Sequence, residues 1–154
     1  MKLIPIEPAA ADAILAGRVP DEPAFAPGYP TEFSAGVAQS VGSPRQVGSF
    51  FAFDEDEAVV VGEIGGAEIE PGTIEIGYAI VDTRAGRGHA TAAVQALVRH
   101  LRDRGAAGRV IAHTPTDRPA SGRVLEKAGF SATGVVEDEH EGEILRVTRW
   151  ELPL

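Results

Sequence analysis

Cysteine is absent from this chain of 154 residues, which also has only one tryptophan, one methionine and two tyrosines. Without cysteine there is no disulfide framework, no thiolate metal site and no cysteine nucleophile. We predict no other metal site. The same absence is typical of proteins from a reducing compartment, so we expect a cytoplasmic location.

Long apolar runs are also missing. No run approaches the roughly 18 residues that a membrane helix needs, so we expect no membrane partner. The first ten residues hold one lysine and a short apolar patch that Pro5 and Pro8 interrupt, which is not typical of a signal peptide. The length, with 44% hydrophobic and 24% charged residues, favours a single soluble domain over residues 1–154.

The net charge of −9 is unevenly spread. Residues 84–127 hold nine Lys or Arg against three Asp or Glu, whereas the rest of the chain holds five against twenty. A basic middle in an acidic chain indicates a polyanionic ligand bound at one place, although surface arginines on two helices would give the same count. Nucleic acid is not expected, because the acidic remainder would repel a long phosphate backbone.

Hydrophobic periodicity predicts strands, a helix, a strand, a second helix and final strands, which is an α/β (α+β) arrangement with one mixed sheet of about seven strands. The predicted strands are Lys2–Ile6, Gln46–Phe53, Ala58–Gly66, Thr73–Val81, Arg109–His113, Phe130–Glu137 and Glu143–Leu152. The predicted helices are Pro8–Ala16, Thr31–Ser40, one from about Ala90 to Gly105, and Ala120–Gly129 with Ser121 as N-cap. Acidic turns are predicted at Asp54–Glu57 and Asp138–Gly142.

The segment "RAGRGHAT", residues 84–91, joins a predicted strand to the longest predicted helix. A dinucleotide fingerprint needs a third glycine where Thr91 stands, and a P-loop needs a Gly-Lys-Ser/Thr ending, so both are excluded. Two interpretations stay open on these residues alone. The segment is either a simple turn or a helix N-terminus whose free amides bind a pyrophosphate, with Gly86 and Gly88 allowing close approach.

Two stretches, "IEIGYAIVDTRAGRGHATAAVQALVRHL" and "VIAHTPTDRPASGRVLEKAGF", resemble the GNAT superfamily of acyl-CoA-dependent N-acetyltransferases. The branch with ribosomal-protein N-terminal acetyltransferases is the most similar, and the resemblance covers roughly residues 58–150. It implies a GNAT-like, mostly antiparallel sheet of about seven strands, flanked by about four helices. It also implies acetyl-CoA as co-substrate.

The resemblance assigns the pantetheine arm to a strand edge and the pyrophosphate to residues 84–91, which we call the glycine turn. The family's phosphate motif falls on residues 85–90, with Ala85 where a basic or amide side chain is usual. In the second motif Arg118 replaces an asparagine, and it either reaches a phosphate or points to solvent. The residues so assigned to the cofactor are Ala79, Ile80, Val81, Gly86, Arg87, Gly88, His89, Ala90, Thr91, Arg118 and Ser121.

Four residues are candidates for the chemistry. Glu75 is the first choice as general base, since the acidic position of the family's "EIGY" falls on it, and an exposed strand carboxylate is the alternative. Glu63 is the second choice. His113 relays protons or only packs against a loop. Ser121 can hydrogen-bond the departing sulfur but is a poor acid, and the tyrosine that is the usual acid in several family members is missing from this helix.

The resulting hypothesis is an acetyl-CoA-dependent N-acetyltransferase that acts by direct attack of a primary amine. The amine is a peptide N-terminus or a small molecule, and the acidic remainder of the chain favours a cationic one. The alternative is a non-catalytic acyl-CoA-binding or regulatory module on the same fold. The oligomeric state is open between monomer and homodimer.

Overall fold

The computed structural model describes the backbone of residues 1–154 and every side chain except that of His140. The strands are β1 (Lys2–Pro5), β2 (Gln46–Asp54), β3 (Val59–Glu70), β4 (Thr73–Ile80), β5 (Arg109–Pro115), β6 (Ser131–His140) and β7 (Glu143–Pro153). The helices are α1 (Pro8–Leu15), α2 (Ser34–Ser40), α3 (His89–Asp103) and α4 (Pro119–Lys127). None of the described helices has the length and apolar character needed to cross a bilayer.

All seven strands form one sheet in the order β1-β2-β3-β4-β5-β7-β6. Every neighbouring pair is antiparallel except β4 and β5, which run parallel because α3 carries the chain from one to the other. The predicted mixed, mostly antiparallel sheet of about seven strands with four helices is therefore confirmed.

The two faces of the sheet are covered by different helices. α3 lies on the face that includes Ile74 and Ile76, and the apolar stripe of this helix, predicted from its spacing, is buried from Ala93 to Leu101. α4 lies on the same face, where the Tyr78 hydroxyl donates to the Ser121 carbonyl at 3.0 Å. α2 lies on the opposite face, which carries Glu63, Glu75 and Gly77.

Several boundaries differ from the sequence prediction. α2 begins at Ser34 rather than Thr31, β3 continues to Glu70 rather than Gly66, and β5 continues to Pro115 rather than His113. α4 begins at Pro119 and its N-cap is Arg118, so the prediction of Ser121 as N-cap is wrong. Proline fits the first helical position because its fixed φ is helical and its missing N–H would have no partner there. The predicted acidic turn Asp138–Gly142 is also too wide: β6 extends to His140, and the turn is confined to Glu141 and Gly142, with φ of 51° and 80°.

Candidate functional site

The sheet opens between β4 and β5. Across the described residues these strands pair only over Thr73–Glu75, opposite Arg109–Ile111, although both strands continue beyond. The remaining edge of β4 therefore faces a gap, where an extended ligand can add to a strand edge. The predicted edge residues Ala79 and Ile80 border this gap. Val81 is buried, and its N–H and carbonyl already bond Val61 and Arg84.

The glycine turn lies at the open end of this gap. Gly86 and Gly88 have φ of 75° and 83°, a left-handed conformation that glycine adopts without strain. A Cβ built on either glycine meets no described atom within 4 Å, so the outer side of the turn is clear of protein. Gly88 is also the N-cap of α3, and the amides of residues 89–91 have no acceptor within the helix. These features fit a bound pyrophosphate.

The arginines of the turn are held by the turn between β2 and β3. Glu57 accepts from Arg84 at 2.8 Å and from Arg87 at 3.4 Å. His89 Nε2 lies 3.9 Å from Oδ2 of Asp54, the last residue of β2 before this turn. Asp54, Glu57 and His89 could bring three metal-ligand atoms within 4.8 Å of one another, but Glu57 is already engaged by two guanidinium groups.

Glu75 and His113 meet at the closed end of the gap. The distance from Glu75 Oε1 to His113 Nδ1 is 2.8 Å, and the side chains are 40% and 24% exposed. Glu75 is the last residue of β4 that pairs with β5, and His113 lies two residues beyond its partner Ile111. The pair can take up a proton at a position that solvent also reaches.

Glu63 occupies a different environment, because its side chain is completely buried. Glu63 Oε1 accepts from the hydroxyls of Thr31 and Ser34, the second at 2.7 Å. Within the described part of the chain, Glu63 Oε2 makes no hydrogen bond of normal length, although the buried Tyr29 hydroxyl is close enough for the Glu63 charge to raise its pKa. Glu63 is thus separated from solvent, whereas Glu75 is not.

The two remaining candidates lie around the start of α4. Ser121 occupies the first turn of the helix, and its carbonyl accepts from Tyr78. Arg118 is exposed, and its Nη1 lies 3.3 Å from Glu32 Oε1. It also borders a small cleft of about 240 Å³, which Arg123 and Trp150 help to line.

Sequence reasoning missed three residues at this site: Thr31, Ser34 and Glu57. A charged residue within the apolar strand "AVVVGEIGG" indicates that some partner must satisfy Glu63, but it does not say which. Glu57 was predicted as part of a turn only. Its partners are 27 and 30 residues away in the chain, and no local pattern indicates them.

A family model described as an acetyltransferase (GNAT) domain matches residues 2–131. The chain belongs to the GNAT acetyltransferase family. Among GNAT relatives, the ribosomal-protein-serine acetyltransferase of Escherichia coli (strain K12) is 34% identical over 90 residues. The match covers 57% of this chain and 49% of that protein, so the chain spans about half the length of this relative.

Solved GNAT structures share the fold. RimL, a ribosomal L7/L12 alpha-N-protein acetyltransferase in complex with coenzyme A, has a TM-score of 0.73, 19% identity and coverage of 99% of this chain and 93% of RimL. A chimera of the spermidine N-acetyltransferase SpeG from Vibrio cholerae and hSSAT has a TM-score of 0.72, 16% identity and coverage of 99% and 96%. At these identities the likeness establishes the GNAT fold.

Both tyrosines of this GNAT protein should resist ionisation. Burial raises the pKa of Tyr78, and burial together with the Glu63 charge raises the pKa of Tyr29. A raised folded-state pKa means that the unfolded chain loses its tyrosine protons first, near pH ~10. We expect the free energy of unfolding to be unaffected by these groups below about pH 10 and to fall above it.

Urea unfolding at about pH 9 and about pH 11, with phenolate absorbance, measures this effect. Tyr29→Phe should remove part of the loss between the two pH values. Phenolate formation near pH ~10 in the folded protein would contradict the prediction.

Proposed function

We propose that this protein is an N-acetyltransferase that transfers an acetyl group from acetyl-CoA to a primary amine, and that residues 1–154 act as one GNAT-like domain. The observation that carries the proposal is the gap between β4 and β5. It runs from a glycine turn with free helix amides to a paired carboxylate and imidazole, Glu75 and His113. This arrangement combines a site for an anionic extended ligand with a proton acceptor at its far end.

The residues present fit acetyl-CoA. The N-terminus of α3 favours the pyrophosphate through its dipole and its amides, and no acidic residue stands in the first turn of this helix. The gap-facing edge at Ala79 and Ile80 fits the amide-containing pantetheine arm. Acetyl-CoA supplies the acetyl group as a thioester. Ser121 and Arg118, at the start of α4, are the proposed contacts on the other side of the gap.

Glu75 is the proposed general base. An ammonium ion has no lone pair, so the acceptor must lose a proton before it can attack. Glu75 is partly exposed and its second oxygen is not used by His113, which leaves a position for the amine or for an intervening water. His113 holds the carboxylate in place and offers a second proton-accepting nitrogen. With no cysteine in the chain, direct attack is the proposed route.

The acceptor is proposed to be a peptide N-terminus or a small amine. RimL is named for an alpha-N-protein substrate and SpeG for spermidine, and both substrates are amines. The net charge of −9 favours the approach of a cationic acceptor over an anionic one.

Calorimetry with acetyl-CoA, followed by a thiol-release assay over a panel of amines, tests the function. The panel contains spermidine, free amino acids, aminoglycosides and peptides with different N-terminal residues. We expect acetyl-CoA to bind and at least one amine to accelerate thiol release. Binding without release would favour the acyl-CoA-binding module, and no binding at millimolar acetyl-CoA would exclude both functions.

Glu75→Gln should reduce turnover by about 10²- to 10⁴-fold at every pH tested, because the amide cannot accept the proton. His113→Asn should also slow the reaction. If the two residues act as a unit, the double variant should be little slower than Glu75→Gln alone. Glu68→Gln, an exposed glutamate of β3, is the control and should keep its full rate. Full turnover by Glu75→Gln would rule out this base.

Gly88→Val should weaken acetyl-CoA binding by about tenfold or more, because a β-branched residue disfavours positive φ and adds atoms where the phosphate would lie. Gly105→Val is the matched control. Gly105 also has positive φ, 59°, and open surroundings, but it follows the opposite end of α3. The control should lose stability and keep its affinity, as measured by urea unfolding and calorimetry. Equal affinities of the two variants would show that the glycine turn does not hold the cofactor.

A further inference from the structure

An aromatic ring lies on β4 between the cofactor edge and the proposed base. Phe33 precedes α2, and its ring covers Gly77 so closely that a Cβ at position 77 would be 2.6 Å from Phe33 Cζ. Gly77 shares its strand face with Glu75, two residues away. Phe33 is nonetheless 40% exposed, so one side of the ring rests on the strand and the remainder is open. The open part is therefore next to the position where the amine and the thioester would meet.

Phe33 lies between two residues, Thr31 and Ser34, that are both hydrogen-bonded to Glu63. The hydroxyls of Thr31 and Ser34 both donate to Glu63 Oε1. The two residues are also joined to each other, since the Thr31 amide donates to Ser34 Oγ at 2.9 Å. The Phe33 amide donates to Thr31 Oγ1 at 3.1 Å. We call Thr31, Ser34 and Glu63 the bracket, because together they fix the backbone that carries the ring.

The bracket includes Glu63, a residue whose burial is energetically unfavourable. Burying a carboxylate without a cationic partner is costly, and no Lys, Arg or His among the described side chains forms an ion pair with Glu63. Glu63 Oε2 also makes no hydrogen bond of normal length in this part of the structure. An apolar residue at this position would pack against Phe51, its buried partner on β2, without that cost. What Glu63 provides instead is the attachment of residues 31–34.

We propose that Glu63 is a positioning residue that acts through Phe33. The bracket holds the ring on Gly77, and the exposed part of the ring forms the wall against which the carbon atoms next to the acceptor amine pack. This inference rests on the proposed acetyl transfer. It assigns Glu63 to acceptor binding and leaves proton removal to Glu75. Phe33 is then a specificity-determining residue for amines that carry an aliphatic chain.

Three single substitutions disturb the same ring in different ways. Phe33→Ala removes it, Gly77→Ala displaces it by adding a Cβ, and Glu63→Gln weakens the bracket. Gly77 does not have positive φ, so alanine at this position is strained only by the ring. For the amine that gives the fastest thiol release in the panel, each variant should raise the KM of the amine by about tenfold. The kcat and the calorimetric Kd for acetyl-CoA should change by less than about twofold.

The double variant Phe33→Ala/Gly77→Ala decides whether the two positions act through one contact. Without the ring the added Cβ has room, so the double variant should bind the amine no worse than Phe33→Ala alone. If Gly77→Ala raised the KM of the amine as much in the Phe33→Ala background as it does alone, Gly77 would act by another route. That result would overturn the proposal. A fall in the kcat of Glu63→Gln with an unchanged KM would also overturn it, because Glu63 would then take part in the chemistry.

Hydrogen exchange tests the bracket without any acceptor. Glu63→Gln should speed the exchange of the amides of residues 31–37 and leave those of α3 unchanged, and Glu68→Gln should affect neither. Unchanged exchange at residues 31–37 in Glu63→Gln would show that no bracket exists. If acetyl-CoA binds but no amine reacts, the acceptor role fails together with the proposed function, and exchange alone reports on the bracket.

Discussion

The arrangement of this protein depends on a parallel strand pair that separates after three residues. β4 and β5 are hydrogen-bonded over Thr73–Glu75 and then diverge, although α3 connects them and packs across the sheet. The divergence leaves the facing edges of β4 and β5 unpaired with each other inside a sheet that is otherwise continuous. It also determines where the proposed chemistry is placed. The closed end brings a residue of β4 against a residue of β5, and the open end leads to the start of α3.

Charged side chains of opposite sign meet at the glycine turn, at the open end of this gap. The basic middle of the chain includes the glycine turn and α3, while the acidic turn between β2 and β3 folds against it. Glu57 therefore offsets part of the positive charge that Arg84 and Arg87 would otherwise bring to the proposed phosphate site. The amides of the helix N-terminus do not depend on these side chains, so the backbone is the more permanent part of the proposed anion site.

Local patterns predicted most of the elements. The spacing of α3, the strand pattern of β4 and the glycines before α3 each follow from residues close together in the chain, and each is present in the structure. Glu75 and His113 were separate candidates, and no local signal indicated that they are 2.8 Å apart. The attachment of residues 31–34 to Glu63 was not predicted either, because it joins two elements about thirty residues apart. The predicted N-cap of α4 was wrong because serine and proline both favour a helix start, and Pro119 occupies the first helical position.

The gap in the sheet has a consequence for the cooperativity of folding. Among the described residues, strands β1–β4 and strands β5–β7 are joined through the sheet by only three residue pairs, with α3 as the covalent connection. Each part contains its own antiparallel ladders, so the two parts are held together mainly by the hydrophobic core that they share and by fewer backbone hydrogen bonds than in a fully paired sheet. A ligand seated along the gap would contact both parts and bind only while they are together. It would therefore bind the folded protein preferentially and make the two parts unfold as one.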